Sequence, residues 1–123
     1  MPKTLTLHLP PRPASAREAR AQVRAMIDDW PAQSAAALQV LVDELVTNVI
    51  LHAHCDAVLV ATIDGARARV EVRDTSARVP VARHYGRSSM TGRGLHLVEA
   101  LADRWGVDEV PGGKVVWFEL VCE

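Results

Sequence analysis

Several kinds of feature are scarce in this sequence, and each scarcity narrows what the chain can be. Its two cysteines, Cys55 and Cys122, fit no paired spacing of a zinc or redox site and are too few for a disulfide framework. The longest apolar runs, such as Ala57 to Ile63, are far too short to span a bilayer, and nothing resembles a signal peptide. We therefore expect reduced thiols in a cytoplasmic protein that has no membrane partner.

The sequence also lacks a surplus of charge of either sign. Lysine and arginine total 14 against 15 aspartate and glutamate residues, and the arginines from Arg12 to Arg24 alternate with alanine and acidic side chains. Nucleic-acid binding usually leaves a basic surplus clustered on one face, so direct binding to DNA or RNA is not expected. With 49% hydrophobic residues among 123, the composition predicts a single folded domain over residues 1–123.

Periodic apolar residues predict the elements of the first half. Residues from Lys3 to Leu9 alternate polar side chains with leucine, as a half-buried strand does. Ser15 and Glu18 have the spacing of a capping box, which predicts a helix that begins there and continues to about Trp30. The run from 34 to 54 has no glycine or proline and carries a broad apolar stripe, which predicts a long central helix.

The second half predicts mainly hairpins. Two alternating segments, 58–63 and 67–73, flank Asp64 and Gly65, which favour a tight turn. The irregular segment from Thr75 to Thr91 predicts a long loop, and loops of this length are usually functional or disordered.

A third helix and two closing strands are predicted beyond this loop. Apolar spacing favours a helix from Leu95 to Trp105, with Gly106 as its left-handed cap. Strands 107–110 and 114–122 then flank a Pro-Gly-Gly reversal. The fold class predicted is α+β: a two-layer sandwich of a mixed, mostly antiparallel sheet with helices on one face.

The central helix contains a polar pair, Glu44 and Asn48, on one face because they are four residues apart. Such a pair is most often a solvated helix edge. However, a carboxamide oxygen is a hard neutral ligand for Mg²⁺, and a nearby carboxylate can orient or deprotonate an attacking hydroxyl group. Both interpretations remain open on this pair alone.

Two later segments also suit a nucleotide. Asp74 follows a predicted strand, where a carboxylate can accept a hydrogen bond from the amine of adenine, although a turn-forming aspartate is common. The sequence Thr91-Gly92-Arg93-Gly94-Leu95 opens a predicted helix, whose free amides and positive end favour an anion. Arg93 and Arg87 could add charge there, although loop arginines are mostly just solvated.

Together these segments resemble the motifs of the Bergerat-type, histidine-kinase-like ATPase fold. LVDELVTNVILHA (41–53) is similar to the N box of the small anti-sigma-factor serine/threonine kinases, and VEVRDTSARVP (70–80) to their G1 box. TGRGLHLVEALADRWGV (91–107) is similar to the G2 box with its helix, and GGKVVWFEL (112–120) to the last strand. The resemblance covers nearly the whole chain.

The resemblance implies a site for ATP and Mg²⁺. It implies that Glu44 is the catalytic base, that Asn48 is the metal ligand and that Asp74 binds the adenine. It places residues 91–95 around the phosphates, where Arg87 could add charge, with the loop before them as a lid. It implies two protein partners, a sigma factor that is sequestered and an anti-sigma-factor antagonist that is phosphorylated on serine.

One departure from the family pattern leaves two functions open. The G1 box of the family has the pattern DxGxG, and this chain has Ser76 and Arg78 at the two glycine positions. A Cβ atom there restricts the backbone. One hypothesis is a serine/threonine protein kinase, and the alternative is a nucleotide-dependent binding module with little or no phosphotransfer.

Related kinases form homodimers through N-terminal elements. Leucines 5, 7 and 9 would suit either such an interface or a core.

Overall fold

The computed structural model describes residues 1–53, 56–74 and 94–122, and the statements below concern these residues. They form three helices and five strands, with bounds that differ from the predicted ones mainly at the helix ends. In chain order these are β1 Lys3–Leu9, α1 Pro13–Met26, α2 Ala32–Ala53, β2 Ala57–Asp64, β3 Arg67–Asp74, α3 Gly94–Leu101, β4 Arg104–Val110 and β5 Gly113–Val121.

The strands form one sheet in the order β1-β2-β3-β5-β4, and every described pairing is antiparallel. The predicted α+β class is confirmed, and the sheet is antiparallel rather than mixed. The tight turns explain part of this arrangement, because strands joined by two-residue hairpins must run in opposite directions. Gly65 and Gly112 lie in these two turns with φ of +63° and +87°, a conformation that glycine adopts readily.

Helix α2 is the centre of the helical layer. It contacts α1 on one side and α3 on the other, and it packs on β3 and β5. Its apolar stripe meets the alternate apolar residues of one sheet face, as binary patterning requires. The fully buried residues of this contact include Leu38, Leu41, Val42, Leu45, Val46 and Val49 from the helix and Leu59, Val70, Val72, Val116 and Phe118 from the sheet.

Strand β1 lies at one edge of the sheet, and its leucines face the core. Leu9 is fully buried, while Leu5 and Leu7 are half-buried and pack against the core cluster. Of the two roles that the sequence left open for these leucines, the structure shows the core role within the chain.

The first helix begins earlier than the capping box predicted. Pro13 is its first residue, and a proline is well suited to this position because the missing N–H would have no partner there. Ser15 therefore lies inside the helix, where its hydroxyl donates to the carbonyl oxygen of Pro10 at 2.6 Å. The helix ends at Met26 rather than near Trp30, and the Trp30 indole Nε1 donates to the carbonyl oxygen of Gly65 at 3.2 Å.

The prediction that the third helix extends to Trp105 is wrong, and so is the role of Gly106 as its cap. Helix α3 ends at Leu101, and β4 begins at Arg104. Gly106 pairs with Trp117 across the β4–β5 ladder. A Cβ atom at Gly106 would lie 2.9 Å from the Trp117 ring, so this close contact is what requires a glycine.

No helix in the described part of the chain is both long enough and apolar enough to cross a membrane.

We expect Gly106→Ala to lower the free energy of unfolding by about 1–3 kcal/mol, because the new methyl group would overlap the Trp117 ring. Urea denaturation measures the change. In a Trp117→Ala background the ring is absent, and the same substitution should then have an effect close to zero. Equal losses in both backgrounds would show that the contact with Trp117 is not the reason for the glycine.

Candidate functional site

Glu44 and Asn48 lie on consecutive turns of α2, toward its C-terminal half. Asn48 is buried, with 6% of its surface exposed, whereas Glu44 is half-buried. Both side chains border the apolar stripe of the helix, so packing of that stripe fixes their orientation. An ion pair between Arg20 of α1 and Asp43 of α2 joins the two helices beside this face.

The environment of Glu44 favours its protonated form. Burial raises the pKa of the Glu44 carboxyl above its ordinary value, and the neighbouring Asp43 carboxylate raises it further. A carboxylate with a raised pKa holds a proton more strongly at neutral pH, and this is the property of a general base. The perturbation is therefore consistent with the catalytic role that the resemblance implies.

The environment of the Asn48 side-chain oxygen is unusual for a buried polar atom. Within the part of the chain that the structure describes, its side-chain Oδ1 is buried and has no hydrogen-bond partner. Buried polar atoms are almost always satisfied, so such an orphan calls for an explanation. A neutral carboxamide oxygen is a hard ligand of the kind that Mg²⁺ accepts. The residue thus fits the predicted metal, and no group of three or more His, Cys, Asp or Glu residues in the described ranges offers an alternative metal site.

Asp74 is the last residue of β3, one position beyond the predicted strand, and only 3% of it is exposed. The buried residues Ala68, Val70 and Val72 alternate along β3, so Asp74 is on the same, helix-facing side of the sheet. A charged residue at the end of an apolar strand face is expensive to bury unless it is paired or hydrogen-bonded.

Chain connectivity brings Asp74 and Asn48 to the same edge of the molecule. Asp74 pairs with Ala57, the first residue of β2. Helix α2 ends at Ala53, four residues before Ala57, a span of at most about 14 Å. Asn48 lies five residues, or about 7.5 Å, from that helix end. The C-terminal half of α2 and the end of β3 therefore border one region.

Helix α3 is directed toward this region as well. Just beyond its C-terminus, the Asp103 N–H donates to the Glu119 carbonyl oxygen at 2.9 Å. That contact lies at the opposite end of β5 from Val115, which pairs with Arg73. Leu101 and Asp103 also line one cavity with Gln33 and Ser34 at the start of α2. Since α3 packs along α2, its N-terminus lies toward the C-terminal half of α2, which borders the Asp74 edge. Gly94 and Leu95 are its first two residues, and α3 packs against α2.

The remaining predicted site residues lie outside the described ranges. These are Arg87, Thr91, Gly92 and Arg93, together with the departures Ser76 and Arg78 and the whole predicted lid.

The sequence reasoning missed Lys114, which is 1% exposed and is the largest fully buried side chain among the described residues. Lys114 has the same parity along β5 as the core residues Val116, Phe118 and Leu120. That alternation is visible in the sequence and could have placed a lysine on the helix-facing side.

A groove lies between the start of α1 and the flank of α2 that carries Asp43 and Thr47. Helix α1 and the segment before it contribute Arg12, Arg17 and Arg20 to its walls, and α2 contributes Asp43 and Thr47. Its arginines suit an acidic or polar segment of a second molecule.

Comparison with known proteins identifies the family of the chain. Residues 9–120 match the family described as histidine kinase-like ATPase domain, and the chain belongs to that family. The motif pattern read from the sequence is thereby confirmed at the level of the family, and nucleotide binding is a property that an ATPase domain implies. Among curated proteins, no sequence matches the chain.

A solved structure shares the fold. It is the crystal structure of the RsbU and RsbW domains of Rv1364c from Mycobacterium tuberculosis, with a TM-score of 0.74 and 20% sequence identity. The match covers 98% of this chain and 32% of that chain. The present chain therefore spans about a third of the length of the solved protein.

We expect Glu44→Gln to stabilise the folded protein at neutral pH. The folded state raises the pKa of Glu44, so this carboxyl lowers the stability as the pH rises from its ordinary pKa to the raised one, and the loss is complete above the raised pKa. Below the ordinary carboxyl pKa both states hold the proton, and the stability difference should level off.

Urea unfolding from pH 4 to pH 8 tests this expectation, with Glu18→Gln, a change at an exposed carboxylate of α1, as the control. A stability difference for Glu44→Gln that does not grow with pH would contradict the proposed environment of Glu44.

Proposed function

We propose that this domain binds Mg-ATP and acts as an anti-sigma-type regulatory protein with serine/threonine kinase activity. The observation that supports this most directly is the buried Oδ1 of Asn48, which has no hydrogen-bond partner among the described residues and lies one helical turn from Glu44. Both residues border the region where β3 ends with the buried Asp74. A candidate metal ligand, a carboxyl group with a raised pKa and a buried hydrogen-bond acceptor thus border one edge of an ATPase fold.

Each residue has a distinct proposed role. Asp74 accepts a hydrogen bond from the adenine amine, and Asn48 Oδ1 would hold Mg²⁺, which would supply positive charge to the phosphates. Glu44 accepts the proton of the attacking serine hydroxyl. The phosphates are assigned to Arg87 and to Thr91, Gly92, Arg93, Gly94 and Leu95, because the start of α3 offers free amides and the positive end of a helix.

The proposed partners are a sigma factor, which the domain sequesters, and an anti-sigma-factor antagonist, which it phosphorylates on serine. The motif resemblance supports both partners, and the shared fold with a structure that includes an RsbW domain agrees with it. The groove between α1 and α2, with Arg12, Arg17 and Arg20 in its walls, offers a place where an acidic or polar segment of a partner could bind. A cytoplasmic location and a single domain over residues 1–123 are part of this proposal.

The second candidate is a nucleotide-dependent binding module with little or no phosphotransfer. Ser76 and Arg78 favour it, because they replace two glycines of the family pattern. Both candidates retain the ATP site, and only a transfer assay separates them.

We expect Asp74→Asn to weaken ATP binding by roughly ten- to a hundredfold, the effect of losing one charge-assisted hydrogen bond. The replacement amide can also present a donor where the adenine amine needs an acceptor. Isothermal calorimetry measures the affinity, and circular dichroism at the same temperature checks that the variant is folded. Asp64→Asn, a change at an exposed residue at the far end of β2, is the matched control. Unchanged ATP affinity in folded Asp74→Asn would contradict the assignment of the adenine site.

We expect Glu44→Ala and Asn48→Ala to have different effects. Loss of a general base should slow phosphotransfer to a partner serine by roughly 10²- to 10⁴-fold while Mg-ATP binding persists. Loss of a metal ligand should instead remove the Mg²⁺ dependence of nucleotide binding. The experiment titrates each variant with ATP, with and without Mg²⁺, and then follows radiolabel transfer to a cognate antagonist protein.

Gln33→Ala, in the exposed first turn of α2, controls for changes to the helix itself. Normal transfer by Glu44→Ala would refute the base, and an undiminished Mg²⁺ effect in Asn48→Ala would refute the ligand. If the unmodified protein binds ATP and transfers phosphate to no partner, the binding-module alternative is favoured, and Ser76 and Arg78 are then the first positions to restore to glycine.

A further inference from the structure

The sheet face beneath the helices ends in a pair of charged residues. Strands β3 and β5 pair Ala68 with Leu120, Val70 with Phe118 and Val72 with Val116, and all six residues belong to the buried core. Arg73 pairs with Val115 in the same register. Continuing that register by one residue places Asp74 directly opposite Lys114.

The two side chains also share a face. Successive residues of a strand point to opposite sides, so Asp74 and Lys114 project to the same helix-facing side as the three apolar pairs. Directly opposed residues of an antiparallel pair have Cβ atoms about 4.5–5.5 Å apart. With 3% and 1% of their surfaces exposed, the carboxylate and the ammonium group are both withdrawn from water at one site.

Such burial favours direct contact between the two groups. Taking one ion out of water is costly, and a nearby opposite charge together with hydrogen bonds offsets the cost. A carboxylate has more acceptor positions than one lysine can occupy, so Asp74 can accept from Lys114 and still accept from a ligand. The pair therefore presents an acceptor and a strong donor side by side.

We propose that Lys114 is a second base-reading group, which lets the site accept guanine nucleotides as well as adenine nucleotides. This inference rests on the proposed function, in which Asp74 contacts the purine. It assigns Lys114 a role in specificity rather than in phosphotransfer.

The chemistry of the purine edges supports this role. An isolated carboxylate accepts from the adenine amine, but it opposes the O6 acceptor of guanine. With an ammonium group beside it, the same carboxylate can accept from guanine N1–H while Lys114 donates to O6. Adenine also suits the pair, because its N1 can accept from Lys114 while its amine donates to Asp74. The Lys114 ammonium group thus removes the repulsion between the Asp74 carboxylate and guanine O6, and adenine still binds with two hydrogen bonds.

The test compares the affinities of ATP and GTP, each with Mg²⁺, by calorimetry on the unmodified chain and on Lys114 variants. We expect the unmodified protein to bind the two nucleotides with affinities within about tenfold of each other. Lys114→Met removes the donor and keeps much of the apolar volume, and it should shift the ratio toward ATP by a further ten- to a hundredfold, roughly the effect of one charge-assisted hydrogen bond. Lys114→Arg retains the charge and should keep the ratio near that of the unmodified protein.

The ratio separates specificity from stability, because a purely structural defect weakens both nucleotides alike. Lys3→Met, at the other lysine of the chain, is exposed on β1 and should change nothing. If Lys114→Met does not fold, the ratio of ATP to GTP affinity in the unmodified protein and in Lys114→Arg still tests the role of Lys114.

A preference of the unmodified protein for ATP of more than a hundredfold would overturn the role of Lys114 and leave the ATP site standing. An unchanged ratio of ATP to GTP affinity in folded Lys114→Met would also overturn the role of Lys114. If the unmodified protein binds neither nucleotide, the inference and the proposed function both fail.

Discussion

The rest of the structure depends on the packing of α2 against the sheet. This helix contacts both other helices and two strands, and its apolar stripe is fully buried. Each large apolar side chain buried in this way contributes about 1.5–3 kcal/mol, so the rotation of α2 about its axis is strongly determined. Because Glu44 and Asn48 border the stripe, the packing of α2 fixes the direction in which their side chains point. The burial of the core residues therefore also orients the candidate functional side chains.

The same packing sets the chemical properties of these side chains. Burial at the margin of the stripe removes water from Glu44 and raises its pKa, and Asp43 adds to the effect. At Asn48 it leaves a buried amide oxygen without a partner among the described residues. Both features cost some stability in a protein that has no ligand, and such costs are typical of functional sites. A structural role alone would favour apolar residues at both positions.

The sheet forms the opposite wall of the candidate site. Its helix-facing side is a row of apolar pairs that ends in Asp74 and, in the continued register, Lys114. Placing the two charges at the end of the row keeps the core apolar and puts the polar groups at the edge where α2 ends and toward which α3 is directed. The groove lined by Arg12, Arg17 and Arg20 lies along the flank of the same helix that carries Asp43 and Thr47.

Local patterns in the sequence were sufficient for the strands, the two hairpin turns and the long central helix, because side-chain periodicity and glycine conformation act over a few residues. The spacing of Glu44 and Asn48 and the motif around Asp74 were likewise readable, and the family they indicated is confirmed. The ends of the first and third helices could not be predicted from local patterns. Ser15 hydrogen-bonds to Pro10 inside α1, and Gly106 is required by a tryptophan eleven residues away on another strand. Nor could the sequence show that Lys114 is buried opposite Asp74, because strand register is decided by the burial of whole faces across β3 and β5. Properties that arise from contacts between distant segments, namely the register, the buried charges and the raised pKa of Glu44, were decided only by the tertiary structure.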